Sequence, residues 1–74
     1  MDENTIKEIL SKENAEFKQM VIHHRECEEE LEKLGRKKIL SGEDELKVKD
    51  LKKRKLILKD RMYVLMSEYR GSLR

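Results

Sequence analysis

The chain has 74 residues, of which 46% are charged and 36% are hydrophobic, so it holds material for one small domain without a large core. This size argues against an enzyme with a deep pocket, and we expect neither catalytic residues nor a cofactor. With no proline, three glycines and many Lys, Glu and Leu residues, the composition is typical of long helices and predicts an all-α fold.

Charge is divided sharply along the chain, although the net charge is only +2. Residues 1–32 carry a net charge of −6 from four basic and ten acidic residues, and residues 33–74 carry +8 from fourteen basic and six acidic residues. If the chain folds back on itself near residue 40, the acidic run from Glu26 to Glu32 lies beside the stretch from Val48 to Arg54. That arrangement favours antiparallel pairing of the two halves.

Cysteine content and the N-terminal sequence bear on the compartment. Cys27 is the single cysteine and has no partner within the chain for a disulfide. No apolar run follows the N-terminal charges in the manner of a signal or membrane segment. We therefore expect a reduced, cytoplasmic protein without membrane contact.

Local signals predict a short helix over about residues 3–11, helix one over about 14–36 and helix two over about 43–70, all within a single domain, 1–74. Asn14 suits the N-cap of helix one. Gly35 suits a helix stop in which glycine adopts a left-handed conformation. Ser41 and Asp44, three residues apart, suit a reciprocal cap at the start of helix two.

Apolar residues at alternating spacings of three and four form a heptad seam on both long helices. This seam predicts that the two helices pair as an antiparallel, coiled-coil-like hairpin. Its polar members are His24 and Lys55, and we expect the Lys55 ammonium either to extend outward or to meet a carboxylate such as Glu28. The predicted seam comprises Phe17, Met20, His24, Cys27, Leu31, Leu34, Val48, Leu51, Lys55, Leu58, Met62 and Leu65.

Two groups of residues carry a family resemblance. Helix two contributes Leu51, Lys52, Lys53, Lys55, Leu56, Leu58, Lys59, Asp60 and Met62, and the first half contributes Asn14, Glu16, Phe17, His24 and Glu26. Together they resemble the small YdcH-like bacterial family of unknown function, from about Ile6 to Tyr69. The chain departs from that pattern at Ala15, where proline is expected, and at Cys27, where leucine is expected. The resemblance implies a helical hairpin that assembles further, and it implies no activity.

One cluster has a spacing that suits metal ligands. His23 and His24 precede Cys27 by four and three residues, so one helical face offers two ligands, with Glu28 as a third. A zinc site needs three or four ligands, and no other Cys or His exists in the chain. The alternative is that His24 and Cys27 are packed seam residues. We favour that alternative and predict no metal site.

Helix two also carries a basic run that is a candidate partner surface. Such a run attracts phosphates in a salt-sensitive way, but it lacks the interleaved aromatic residues that stack on single-stranded bases. The alternative is a solvated helix face that the acidic run partly neutralises. The candidate basic face comprises Lys49, Lys52, Lys53, Arg54 and Lys59.

Apolar residues outside the seam bear most directly on function. Ile22, Ile57 and Val64 lie off the seam, with Ile57 and Val64 seven residues apart. Small scaffolds without disulfides or metals commonly gain stability by oligomerising, so these three residues form a candidate self-interface. The alternative is that they are scattered exposed side chains, which ordinary surfaces tolerate. We predict a homo-oligomeric interaction or structural protein that acts through coiled-coil self-assembly or through binding of an unidentified protein partner, and the competing prediction is weak nucleic-acid binding.

Overall fold

In the computed structural model, which describes residues 2–72, the chain forms three helices and no strand. Helix α1 spans Glu3–Glu13, α2 spans Ala15–Gly35 and α3 spans Gly42–Ser72. The predicted all-α fold class is confirmed, and it includes the short N-terminal helix. The molecule measures 51 × 20 × 15 Å, because the 31 residues of α3 alone extend about 46 Å at 1.5 Å per residue.

A single residue, Asn14, separates α1 from α2. Its backbone is extended (φ −121°, ψ 109°), and its side-chain Oδ1 accepts a hydrogen bond from the Phe17 N–H at 3.1 Å. The predicted N-cap is therefore confirmed. At the start of α1, Asp2 accepts a hydrogen bond from the Thr5 N–H at 2.8 Å, and this bond lowers the pKa of the Asp2 carboxyl.

Helix α2 ends at Gly35 without the left-handed glycine that the sequence led us to expect. The predicted stop at Gly35 is confirmed, but within residues 2–72 no residue has a positive φ, so the conformation expected there was wrong. The next residue, Arg36, stays in the right-handed region (φ −83°, ψ −13°), and its N–H donates to the Lys33 carbonyl at 3.3 Å. The last turn is therefore tightened, with an N–H bonded to the carbonyl three residues earlier. This bonding gives a partner to carbonyl groups that the end of an α-helix leaves unpaired.

Helix α3 begins with the reciprocal cap that the sequence predicted. The Asp44 N–H donates to Ser41 Oγ, and the Ser41 N–H donates to Asp44 Oδ2, both at 3.1 Å. Lys37 Nζ also lies 3.1 Å from Asp44 Oδ1. The Ser41 N–H first, and then Lys37, lower the pKa of the Asp44 carboxyl. The cap is confirmed, and it links the connecting segment to the first turn of α3.

Two groups of buried side chains lie between the helices. Residues early in α2 pack with residues late in α3, and residues late in α2 pack with residues early in α3. The three-helix cluster, to which α1 contributes, comprises Ile6, Leu10, Phe17, Met20, Met62 and Met66. The two-helix cluster comprises Cys27, Leu34 and Leu51.

Candidate interaction surfaces

Leu46, near the start of α3, is 68% exposed, and four other large apolar side chains on this helix are also more than half exposed: Leu56 (63%), Ile57 (52%), Tyr63 (65%) and Val64 (53%). These four form two pairs, because Leu56 and Tyr63 are seven residues apart and so are Ile57 and Val64. Neighbouring helical residues point about 100° apart. The two pairs therefore lie on separate strips of the outer surface, which we name the Leu56 face and the Ile57 face.

The Ile57 face comprises Ile57, Val64 and the charged residues one turn away from them, and its two arginines are neutralised. Arg54 Nε lies 3.0 Å from Asp50 Oδ2 on the same helix, and Arg61 Nη2 lies 3.1 Å from Glu16 Oε1 of α2. These arginines are three residues before Ile57 and four after it, so they are its neighbours on the helix surface. Both arginines beside the apolar pair are thus in ion pairs, whereas Lys53, Asp60 and Glu68, at the same spacing, form none within residues 2–72.

A shallow groove of about 510 Å³ borders the Ile57 face and lies between α2 and α3. Leu51, Cys27 and Leu58 supply its apolar part. Glu26 and Glu30 line it together with Arg54, but within residues 2–72 neither forms an ion pair with that arginine. The acidic and basic runs therefore do not pair directly here. Glu30 lies 3.9 Å from Lys33 and Glu32 lies 2.7 Å from Arg36, both on α2 itself.

The Leu56 face comprises Leu56, Tyr63 and the cations Lys49, Lys52, Lys59 and Arg70, all exposed. In contrast to the Ile57 face, none of these four cations has a carboxylate within 4.0 Å in the part of the chain that the structure describes. Lys53 and Asp60 lie on the boundary between the two faces. The Leu56 face is therefore apolar at its centre and has unpaired positive charge around it.

The structure divides the predicted basic face between two sides of α3. Lys49, Lys52, Lys53, Arg54 and Lys59 are all exposed. Arg54, however, lines the groove beside the Ile57 face, whereas Lys59 lines a second groove of about 910 Å³ to which α1 also contributes. Five residues on a helix correspond to about 140°, which accounts for the separation.

The three residues of the predicted self-interface also occupy different surfaces. Ile22 is 36% exposed on α2, two residues after the buried Met20, and therefore points away from α3. Val64 stands two residues from both Met62 and Met66, which are buried, so it points away from α2. Ile22 thus lies on the opposite side of the molecule from Val64, and only Ile57 and Val64 share a face.

Within the predicted seam, six residues are buried and six are half-buried. The buried ones are Phe17, Met20, Cys27, Leu34, Leu51 and Met62; the half-buried ones are His24, Leu31, Val48, Lys55, Leu58 and Leu65. Lys55 makes no ion pair within residues 2–72. Glu28, the carboxylate considered for it, has its Oε1 2.8 Å from Nδ1 of His24 instead.

The two histidines of the metal-like cluster lie in different grooves. His23 lines the groove that contains Cys27, and His24 lines the larger groove with Glu28 and Lys55. Within residues 2–72, no three His, Cys, Asp or Glu side chains are grouped so that they could hold a metal ion. The spacing of three and four residues therefore does not bring these side chains to one site.

A family model described as "Protein of unknown function (DUF465)" matches residues 17–66, which cover α2 from Phe17 onward and most of α3. The chain belongs to this family. The resemblance to a small family of unknown function is thereby confirmed. No curated protein and no solved structure matches the chain.

Most of both outer faces lies inside the matched region. Leu56, Ile57, Tyr63 and Val64 fall within residues 17–66, whereas α1 falls outside it. No helix formed by residues 2–72 combines the length and the apolar character that a membrane crossing requires. The exposed pair Leu56 and Tyr63 was not singled out from the sequence, although its spacing of seven matches that of Ile57 and Val64.

Proposed function

We propose that this protein is a small cytoplasmic interaction protein that acts by self-association and partner binding and not by catalysis. Its working unit is an antiparallel, coiled-coil-like hairpin of α2 and α3, closed at one end by α1. The order of residues in the two buried clusters supports this unit. The narrow core supports an interaction role, since small scaffolds of this kind commonly gain stability by oligomerising.

The observation that carries this proposal is that Ile57 and Val64 are exposed beside two arginines that already form ion pairs. Covering apolar side chains with another protein surface is favourable in proportion to the area removed from water. Because Arg54 and Arg61 already have carboxylate partners, covering the Ile57 face does not isolate the charge of either arginine. The face therefore suits contact with protein better than contact with phosphates.

An antiparallel pairing of two copies of α3 fits the charges at this face. With a two-fold axis between positions 60 and 61, Ile57 packs against the partner's Val64, and Lys53 comes level with the partner's Glu68. A parallel pairing would set Lys53 against the partner's Lys53. Opposite charges favour the first arrangement and like charges oppose the second. Ile22, on the opposite side of the molecule, stays outside this dimer interface.

Light scattering coupled to size-exclusion chromatography tests this arrangement. We expect the wild-type protein to show twice the chain mass of 8.9 kDa, and the Ile57→Glu/Val64→Glu variant to show the single mass. A matched control is Leu56→Glu/Tyr63→Glu, which makes the same kind of change at adjacent, somewhat more exposed positions and should stay dimeric. A monomeric wild type, or a monomeric control beside a dimeric Ile57/Val64 variant, would contradict the proposal.

Charge exchange gives a second readout of the same interface. Lys53→Glu and Glu68→Lys should each weaken the dimer, since each sets like charges level with one another. The double variant Lys53→Glu/Glu68→Lys restores opposite charges and should recover the dimer. If the double variant is as weak as the sum of the two single variants, the antiparallel register is wrong.

Weak nucleic-acid binding remains the competing function, and the unpaired exposed lysines Lys49, Lys52 and Lys59 favour it. The division of the basic residues between two sides of α3 counts against it. A gel shift with duplex DNA at low salt tests this alternative. No retardation at tens of micromolar protein would remove it, because non-specific binders reach dissociation constants of about 10⁻⁴ to 10⁻⁶ M even at physiological salt.

A further inference from the structure

The Leu56 face differs from the Ile57 face in a way that specifies another occupant. We propose that the Leu56 face is a docking site for an acidic amphipathic helix of a different protein. The side chains on this face, and the way they would meet a second copy of the chain, specify the chemistry of that helix.

Leu56 and Tyr63 provide the apolar centre of the site. They are 63% and 65% exposed and seven residues apart, so they stand two turns apart on one strip of α3. Helices recognise one another through apolar residues that repeat at this spacing. Tyr63 adds a hydroxyl at the end of an apolar ring, a combination that is common in protein interfaces. A helix with two apolar residues seven apart fits this centre.

The surrounding charge indicates that this helix is acidic. Lys52 precedes Leu56 by four residues, and Lys59 follows Leu56 by three and precedes Tyr63 by four, so both lysines border the apolar centre. Asp60 has the same spacing and is the one acidic residue at this border, so the charge around the centre is still positive on balance. Lys49 and Arg70 extend the strip at either end. Since none of these cations has a carboxylate partner within residues 2–72, docking requires no existing ion pair to break. Carboxylates on a partner would find exposed ammonium and guanidinium groups.

A second copy of this α3 fits the Leu56 face less well than an acidic helix does. An antiparallel pairing that sets Leu56 against the partner's Tyr63 sets Lys49 against the partner's Arg70, although it also brings Lys59 level with the partner's Asp60. It therefore combines a repulsive pair with an attractive one.

A parallel pairing sets Lys52 and Lys59 each against the same lysine of the partner, and like charges placed together oppose association. On the Ile57 face, the antiparallel pairing brings Lys53 level with the partner's Glu68 and Asp60 level with the partner's Arg61. A second copy therefore suits the Ile57 face better than the Leu56 face.

Other macromolecules fit this face less well. The strip offers one aromatic side chain, Tyr63, whereas single-stranded nucleic-acid sites stack successive bases on several. Helices that lie on a lipid surface bury a broad and continuous apolar face, and this strip has only Leu56 and Tyr63. A helical protein partner uses both the apolar spacing and the charge.

Fluorescence anisotropy with labelled synthetic peptides tests the proposal on the full-length protein. The probe peptide is about three heptads long, helix-forming, with two leucines seven apart and glutamates at the flanking positions. A control peptide has the same composition, with one leucine moved by two positions and so to another side of the helix. We expect the probe to bind at least about tenfold more tightly than the control peptide.

Variants of the protein assign the binding to the Leu56 face. Leu56→Glu/Tyr63→Glu and Lys52→Glu/Lys59→Glu should each weaken probe binding at least about tenfold, with helical circular dichroism unchanged because all four side chains are exposed. Ile57→Gln/Val64→Gln, which adds no charge beside the acidic probe, should leave probe binding unchanged even where it abolishes the dimer. This variant separates failure of the docking proposal from failure of the self-association proposal.

Three results would overturn the docking proposal. Equal binding of the probe and the control peptide would mean that charge alone is responsible. Unchanged binding by Leu56→Glu/Tyr63→Glu would place the site elsewhere. Tighter binding to duplex DNA or to vesicles of phosphatidylserine and phosphatidylcholine than to the probe, lost in the Lys52→Glu/Lys59→Glu variant, would assign the face to phosphates.

Discussion

The two buried clusters of this molecule differ in how many helices enclose them. The three-helix cluster contains Phe17 and Ile6, both fully buried, because α1 closes that end. In the two-helix cluster, Cys27, Leu34 and Leu51 all keep a small exposed fraction, because only α2 and α3 surround them. Two helices alone share a narrow contact strip, so the third helix decides where a dry core forms. We infer that stability is concentrated at the α1 end.

The largest expected effect comes from breaking the three-helix cluster. Phe17→Ala removes the largest fully buried side chain and should lower the free energy of unfolding by about 3–5 kcal/mol. Leu51→Ala in the two-helix cluster should cost about 2 kcal/mol, at the low end for such changes, because its surroundings are closer to water and able to relax. Urea denaturation followed by circular dichroism measures both.

The order of these two losses is the decisive result. Domains of this kind are stabilised by about 5–15 kcal/mol in total, so Phe17→Ala threatens the fold. If it unfolds the protein, Phe17→Leu gives a smaller loss that remains measurable. A loss at Leu51 as large as that at Phe17 would mean that α1 does not concentrate stability at its end.

An intermediate effect is expected at the residue that positions α1. Asn14→Ala removes the side-chain oxygen that accepts the Phe17 N–H and should cost about 1 kcal/mol. Asn4→Ala, on the exposed surface of the first turn of α1, makes the same chemical change without removing a cap and should stay within about 0.5 kcal/mol. Equal effects of the two substitutions on thermal unfolding would show that Asn14 does not hold the boundary.

Hydrogen exchange shows where the cap acts. In the Asn14→Ala variant, the backbone amides of α1 should exchange faster than the backbone amides in the part of α2 that belongs to the two-helix cluster. The reason is that α1 is no longer held at a fixed angle to Phe17. Uniformly faster exchange along α2 and α3 would instead mean that the cap stabilises the whole molecule equally.

Local features of this fold were predictable from the sequence because they depend on neighbours three or four residues away. The Asn14 cap and the reciprocal bonds of Ser41 and Asp44 are of this kind, and all are present. Gly35 ends α2 as predicted, but the left-handed conformation expected there is absent. Glycine permits that conformation without requiring it, and the turn at Arg36 satisfies the carbonyls in another way.

The distribution of side chains between surfaces was harder to predict, because it depends on which side of each helix faces a neighbour. The lysines and Arg54 of α3 are close in sequence, yet Arg54 and Lys59 border different grooves. Glu28 was considered as a partner for Lys55, but it bonds His24 one turn earlier on its own helix. Nearby partners on one helix compete with partners across helices, and spacing alone does not determine which is chosen.

The smallest expected effect concerns the cap of α3 at the two-helix end, and it depends on pH. The Ser41 N–H and then Lys37 lower the pKa of Asp44 from its ordinary value of 3.8. A carboxyl whose pKa is lower in the folded than in the unfolded chain adds stability that is fully present above the unfolded pKa. That contribution is lost as the pH falls below about 3.8 through the folded pKa. The Asp44→Asn variant should therefore be less stable than the wild type at neutral pH and approach it in acid.

Ser41→Ala separates this titration from the loss of the cap itself. It removes the hydroxyl that accepts the Asp44 N–H but keeps the Ser41 N–H and Lys37, the two largest causes of the lowered Asp44 pKa. Its deficit should therefore change much less with pH than that of Asp44→Asn. Urea denaturation of the three proteins from neutral pH to about pH 2.5 measures both differences. If the difference in the free energy of unfolding between the wild type and Asp44→Asn does not change with pH, the assignment of this pH dependence to Asp44 is wrong. The cap would then stabilise α3 through hydrogen bonds that do not depend on the charge of Asp44, and acid loss at this end would arise elsewhere.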